Sequence, residues 1–155
     1  MANSAGMALN FKFELMTGIH ALGPGTGVPV RTAGVADVLK AALFLATATR
    51  VPGDAVYNTS GELAASGNYT QGGKTVTMAN VPSLKTNTGT FNPTANLTWT
   101  ALTSSGAFDC VVFYNSSQSN KQVSVHTFSV QTIVAADFTL TMPADAAATA
   151  LLQIA

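Results

Sequence analysis

Beyond residue 75 the chain is a succession of short runs in which apolar side chains alternate with threonine or serine, each closed by Gly, Asn, Ser or Asp. Thr75, Val76, Thr77 and Met78 follow the turn signal Gly72-Gly73, and Leu97, Thr98, Trp99 and Thr100 repeat the alternation. Residues 111–114 form a continuous apolar run, residues 122–130 carry Val123, Val125, Phe128 and Val130, residues 138–142 alternate with threonine, and residues 151–154 close the chain. A period of two sends successive side chains to opposite faces and predicts strands. Parallel strands need a crossover of a dozen or more residues, usually a helix, and the intervals 115–121 and 131–137 are too short and too rich in turn residues to supply one. The pattern therefore predicts a mainly β protein, an antiparallel β-sandwich of the jelly-roll kind.

The N-terminal part reads differently. Residues 1–10 are small and polar and predict a flexible or partner-ordered tail. Phe11, Leu15, Ile19 and Leu22 recur at helical spacing until Gly23, Pro24 and Gly25, which predicts a short amphipathic helix, and the Gly/Pro/Thr-rich stretch 23–34 reads as a link. We accordingly divide the chain into an arm, residues 1–35, and a β-domain, residues 36–155, and expect the β-domain to fold without residues 1–22. Residues 37–49 fit either helix, because of their alanines, or a buried strand through Leu43, Phe44 and Leu45; the strand is favoured.

At 155 residues one hydrophobic core is expected. Only 9% of residues are charged, against roughly 25% in ordinary domains, so Ser, Thr, Asn, Gln and Gly supply most of the polar surface. Such a surface loses little when a partner covers it, because few charges need desolvation. Seven basic and seven acidic residues are scattered singly, which removes the usual signal for nucleic acid or anionic membrane. The longest apolar stretch, residues 38–48, is broken by Lys40 and too short to span a bilayer, and Lys12 and Glu14 interrupt the N-terminus where a signal peptide would be apolar. The expectation is a soluble protein.

Chemistry finds little purchase. Glycine-rich phosphate loops and a Gly-x-Ser-x-Gly elbow are both missing from the sequence. Cys110 is the single cysteine, which excludes an intrachain disulfide, and its apolar neighbours predict a buried, inert thiol. The one conceivable nucleophilic set, Cys110 with His126 and Asp109, is disfavoured because Asp109 and Cys110 are strand neighbours and point to opposite faces. His20 reads as a hydrogen-bonded packing residue without a second metal ligand at helical spacing. The acids Glu14, Glu62, Asp37, Asp54, Asp109, Asp137 and Asp145 sit beside turns or caps, Asp145 capping one after Pro143, and no pair suggests a glycosidase. Asn58, Asn68, Asn96 and Asn115 begin Asn-x-Ser/Thr triplets and read as turn residues. Trp99 and the phenylalanines 91, 108, 113, 128 and 138 read as core, most on one face. No cofactor, metal or catalytic residue is assigned.

Three segments carry a resemblance: residues 57–77 (YNTSGELAASGNYTQGGKTVT), 106–125 (GAFDCVVFYNSSQSNKQVSV) and 138–155 (FTLTMPADAAATALLQIA). In order they resemble a family of small virion structural proteins of tailed bacteriophages, with a Tyr-x-x-x-Gly-Glu element, a Tyr-Thr-x-Gly-Gly-Lys-Thr element and a Tyr-Asn-x-Ser-x-Ser-Asn-like element. The matching positions are Gly61, Glu62, Gly67, Tyr69, Gly72, Gly73, Lys74, Trp99, Gly106, Tyr114, Asn115, Ser119 and Asn120, and Asn68 stands where the pattern has Gly. The resemblance implies scaffold rather than catalysis: Gly72-Gly73 giving positive φ in a hairpin, and Tyr114-Asn115 ending a strand at a tight loop through Asn120.

It further implies a capsid cement or decoration protein on the outer surface of the shell, made in the bacterial cytoplasm. Its partners would be the major capsid protein and further copies of itself, as dimer or trimer, with no nucleic acid, membrane or small-molecule substrate. The alternative is a tail or head-to-tail component, such as a fibre, receptor-binding or adaptor module. Loops of Ser, Asn and Gly with few aromatics favour cement. A cell-wall hydrolase ranks last.

Overall fold

The computed structural model describes residues 3–8, 11, 20, 36–78, 83–85 and 88–154. Among them are ten strands, and every pairing is antiparallel: β1 (Gly6–Met7), β2 (Leu39–Leu45), β3 (Lys74–Thr75), β4 (Ser83–Lys85), β5 (Thr88–Phe91), β6 (Leu97–Leu102), β7 (Phe108–Asn115), β8 (Lys121–Gln131), β9 (Ala136–Leu140) and β10 (Leu152–Ile154). Apart from Phe11 no described residue is helical, so none forms a helix long and apolar enough to cross a membrane. The strands form a five-stranded sheet in the order β1-β8-β7-β2-β3, a three-stranded sheet β10-β5-β4 and a two-stranded sheet β6-β9.

The five-stranded sheet is covered on both sides. Leu39, Ala41 and Leu43 of β2 and Val111 and Phe113 of β7 belong to a core that also takes in Phe91 of β5, Leu97, Trp99 and Leu102 of β6, and Leu152 of β10. Ala42, Phe44, Cys110, Val112, Tyr114 and Val125 form a second core on the opposite face. A strand buried on both faces loses its alternation and becomes an apolar run, which is why residues 37–49 read ambiguously. The second face is covered by the chain after β2: Tyr57 and Ala48 pack on it, and the Arg50 guanidinium lies 5.1 Å from the Phe44 ring centre.

Two expectations about the N-terminus change. Residues 3–8 are no free tail: Gly6 and Met7 pair with Val125 and Ser124, Ala8 N donates to Val123 O at 3.0 Å, and Ser4 N to Arg50 O at 2.8 Å. Asn3 fastens the start of this segment, accepting from Arg50 N at 2.9 Å and donating to Asp109 Oδ1 at 2.6 Å. The sequence hid this because an edge strand of two residues has no periodicity, and the anchoring lies in one asparagine side chain. The expected helix and link fall outside the described residues except for Phe11 and His20, and so does the division at residue 35. Phe11 is nonetheless fully buried in the first core, so a β-domain independent of residues 1–22 is not what the packing supports.

Elsewhere strand positions follow expectation, with three differences. The run from Thr75 leaves the ladder after one residue, although Val76 N still donates to Leu39 O at 2.9 Å. Strands β4 and β5 carry Ser, Gly and Thr and lacked the apolar alternation that marks a strand. Sheets of five, three and two strands also differ from the two equal sheets of a jelly roll.

Candidate functional site

Four of the residues that carry the resemblance, Glu62, Tyr69, Gly72 and Tyr114, converge with Tyr57. Glu62 is 4% exposed, and its carboxylate accepts from Tyr57 Oη at 2.5 Å, Tyr69 Oη at 2.6 Å and Gly72 N at 2.8 Å. Tyr69 Oη in turn accepts from Leu43 N at 3.0 Å in the middle of β2, and Tyr114 Oη on β7 donates to Gly72 O at 2.6 Å. Tyr57 stacks flat on Tyr114, ring centres 4.0 Å apart, and meets Phe44 edge-on. Among the described residues no Lys or Arg pairs with Glu62, so three hydrogen-bond donors do the work of a counterion.

Local conformation explains the glycines of the turn. Gly72 and Gly73 have φ of +90° and +66°, and a Cβ on Gly73 would lie 2.0 Å from Ala41 O. The chain must pass against the β2 backbone there, and only hydrogen leaves room. Ser119 and Asn120 also take left-handed conformations, φ 53° and 58°, closing the β7–β8 loop between Asn115 and Lys121. The positive φ and the tight β7–β8 loop are as expected, but the Gly72-Gly73 turn, closed by Gly73 N to Thr70 O, forms no hairpin, because β3 beyond it pairs with β2 across residues 46–73.

The remaining motif positions support neighbouring strands. Gly61 O accepts from Leu45 N, and Gly67 bridges Leu102. Lys74 Nζ donates to Thr98 O, and Trp99 is buried against Phe138. Gly106 lies between β6 and β7, where a Cβ would come within 3.0 Å of Leu45 Cδ2. Asn68, at the departure from the pattern, donates to Thr100 O at 3.1 Å, a bond glycine could not make. Asn115, fully buried, donates to Asp37 Oδ2 at 2.7 Å, lies 2.8 Å from His20 Nδ1, and accepts from Ser117 N.

Electrostatics fit a holding role. Burial, then the bond to Glu62, pushes the Tyr57 and Tyr69 hydroxyls well above the ordinary phenol range, and burial followed by Glu62 raises Tyr114 to about 12. All three remain protonated donors at neutral pH. They present neither a nucleophile nor a base and tie residues 57–62, 69–73, β2 and β7 into one unit.

The conceivable nucleophilic set is not brought together. Cys110 faces the second core with Val112, whereas His126 pairs with Val111 and meets Phe113 edge-on over the first. Burial, then the neighbouring Asp109 charge, pushes the thiol up to about 12, and Asp109 is bonded to Asn3. His20 is buried, edge-on to Phe11, as a packing residue. Among the described residues no cluster of metal-ligating side chains occurs.

Asp145 differs from expectation. It accepts from Thr90 Oγ1 at 3.1 Å and pairs with Lys85 at 3.3 Å, joining the β9–β10 connection to β4 and β5 rather than capping its own turn. Asn58 and Asn115 make local turn bonds and Asn96 accepts from Met142 N, so these triplet asparagines are structural. The aromatics 91, 99, 108, 113, 128 and 138 all contribute to the first core.

Sequence reasoning singled out Glu62, Tyr69 and Tyr114 but not their union, and it missed Tyr57 as a partner. The signal was available: an acid flanked by tyrosines at spacings of five and seven residues, beside Gly-Gly. Searches against known proteins find no matching family model, curated protein or solved structure.

Proposed function

We propose that this chain is a non-enzymatic structural protein of a tailed-phage particle, a cement or decoration protein that binds the outside of the major capsid shell and works as a homo-oligomer. The observation that carries this reading is the role of the resembling residues: Glu62, Tyr69, Gly72, Gly73 and Tyr114 hold the fold and leave the exterior free for contact. A second support is the exterior itself, which has few charges and exposes Val56, Val130 and Val134. Many weak copies on a shell bind strongly through avidity, so no charged hot spot is required. We read the sheets on either side of the first core as a sandwich suited to that task.

The test is cryo-electron microscopy of the parent particle with this chain labelled. Density at high copy number over capsomer junctions is the expected result. Density confined to the tail or portal axis would replace cement with the tail reading, and absence from the particle would overturn both.

A further inference from the structure

The β9–β10 connection does not close against the sheet beneath it. Between them lies a cleft of about 260 Å³ with Val111, Phe113 and His126 on the sheet side and Leu140, Met142 and Leu151 among its walls. An apolar cavity of about 150 Å³ suffices for a benzene-sized molecule, so this one has room for a bicyclic ring. None of its described lining residues is charged, and they offer few polar groups. Of these, the Thr149 hydroxyl is already committed to Ala144 O at 2.9 Å. His126 Nε2 lies 3.1 Å from Ser124 Oγ, and the ring stands edge-on to Phe113 at 5.6 Å. That leaves Nδ1 as the ring nitrogen without a hydrogen bond, alongside the exposed Thr141 residue in the same lining.

We propose that this cleft binds a small, uncharged, largely apolar molecule carrying one hydrogen-bonding atom, with His126 as its polar anchor. Charge complementarity decides the class. A cation or anion entering here would lose its hydration and meet no opposite charge among the described lining residues, whereas a neutral ring exchanges water for Val111, Phe113 and Met142. Burial lowers the His126 pKa, so the imidazole is neutral at pH 7 and agrees with an uncharged guest. The inference stands apart from the virion reading, and either can fail alone.

Indole, titrated into the full-length protein at neutral pH, is the probe, with benzoate as its charged counterpart. Saturable shifts of the His126 ring and Met142 methyl resonances are expected, with Kd on the order of 0.1–1 mM for a ligand of this size. Thr141→Trp places a bulky ring at an exposed position on the rim without disturbing a strand and should weaken binding at least about tenfold. His126→Phe should weaken indole while leaving toluene binding nearly unchanged. Non-saturable shifts, equal binding of benzoate, or a Thr141→Trp protein that is folded and binds as before would overturn the proposal.

Discussion

Replacing Glu62 by Ala tests the central tie of the fold. The change removes the acceptor for Tyr57 Oη, Tyr69 Oη and Gly72 N. A buried donor left unpaired costs about 1–3 kcal/mol, which applies in full to Tyr69 and in part to the half-buried Gly72 amide. Tyr57 is half-buried and can turn its hydroxyl to water at smaller cost. In the opposite direction, the variant no longer buries a carboxylate that lacks a cation, which returns part of the loss. The net expectation is a destabilisation of about 3 kcal/mol.

Glu62→Gln keeps the shape and one carbonyl acceptor but presents an amide donor where an acceptor stood, and should cost roughly half as much. Trp99 is the single tryptophan and lies in the first core, so its fluorescence during guanidinium unfolding reports the transition directly. A Glu62→Ala protein within about 0.5 kcal/mol of the parent, the range of an ordinary surface change, would refute the argument that this carboxylate ties the segments together.

Gly73→Ala should unfold the protein or make it insoluble, because the new Cβ would sit 2.0 Å from backbone that cannot yield without breaking β2; Ser119→Gly, at φ 53°, should be neutral or stabilising by up to about 1 kcal/mol, and thermal melts of the two check the contrast. The three tyrosines bear on pH. Their folded pKa values are raised, so the stability they contribute is complete below about pH 10, where free phenols begin to ionise, and declines above it, Tyr114 titrating near 12 and the other two later. Phenolate absorbance should therefore lag behind that of denatured protein and rise together with loss of β-sheet circular dichroism, and ordinary titration of all three in the folded state would contradict the network. Deleting residues 1–8 should lower the unfolding midpoint, since it removes β1, the Asn3 clamp and the buried Ala8, whereas a free tail would leave the midpoint unchanged.

Strand positions were legible wherever one face is wet. Residues 97–100 alternate because Trp99 faces the core while Thr98 and Thr100 do not, and β9 reads in the same way. Periodicity weakened in β2, which is buried on both faces, and vanished in β1, β4 and β5, whose pairing depends on the neighbour presented to them. The site was legible as a list of residues but not as a place. Nothing in the spacing of Tyr57, Glu62 and Tyr69 states that a hydroxyl from β7 will meet the Gly72 carbonyl, because that contact spans 42 residues and is created by the β2–β7 pairing.

This division between scaffold and surface bears on what the resemblance can carry. Substitution at Glu62, Gly73 or Tyr114 is punished by unsatisfied donors or backbone overlap, so those positions answer to folding whatever the protein binds. Val56, Val130 and Val134 are more than two-fifths exposed and meet no such constraint, leaving them free to answer to a partner. Between Lys121 and Asp137 the chain carries no Lys, Arg, Asp or Glu, and this stretch supplies most of β8 together with two of those valines. Exposed strand edges are commonly guarded by charge, by irregularity or by a covering segment. Among the described residues β1 pairs with residues 124–125 and Ala8 N reaches Val123 O, the Gln131 side chain caps Ser129 O, and the ladder with β7 breaks register between Phe108 and Cys110. Among the described residues the far half of β8 thus carries irregularity rather than charge along its edge, with Val130 and Val134 exposed beside it.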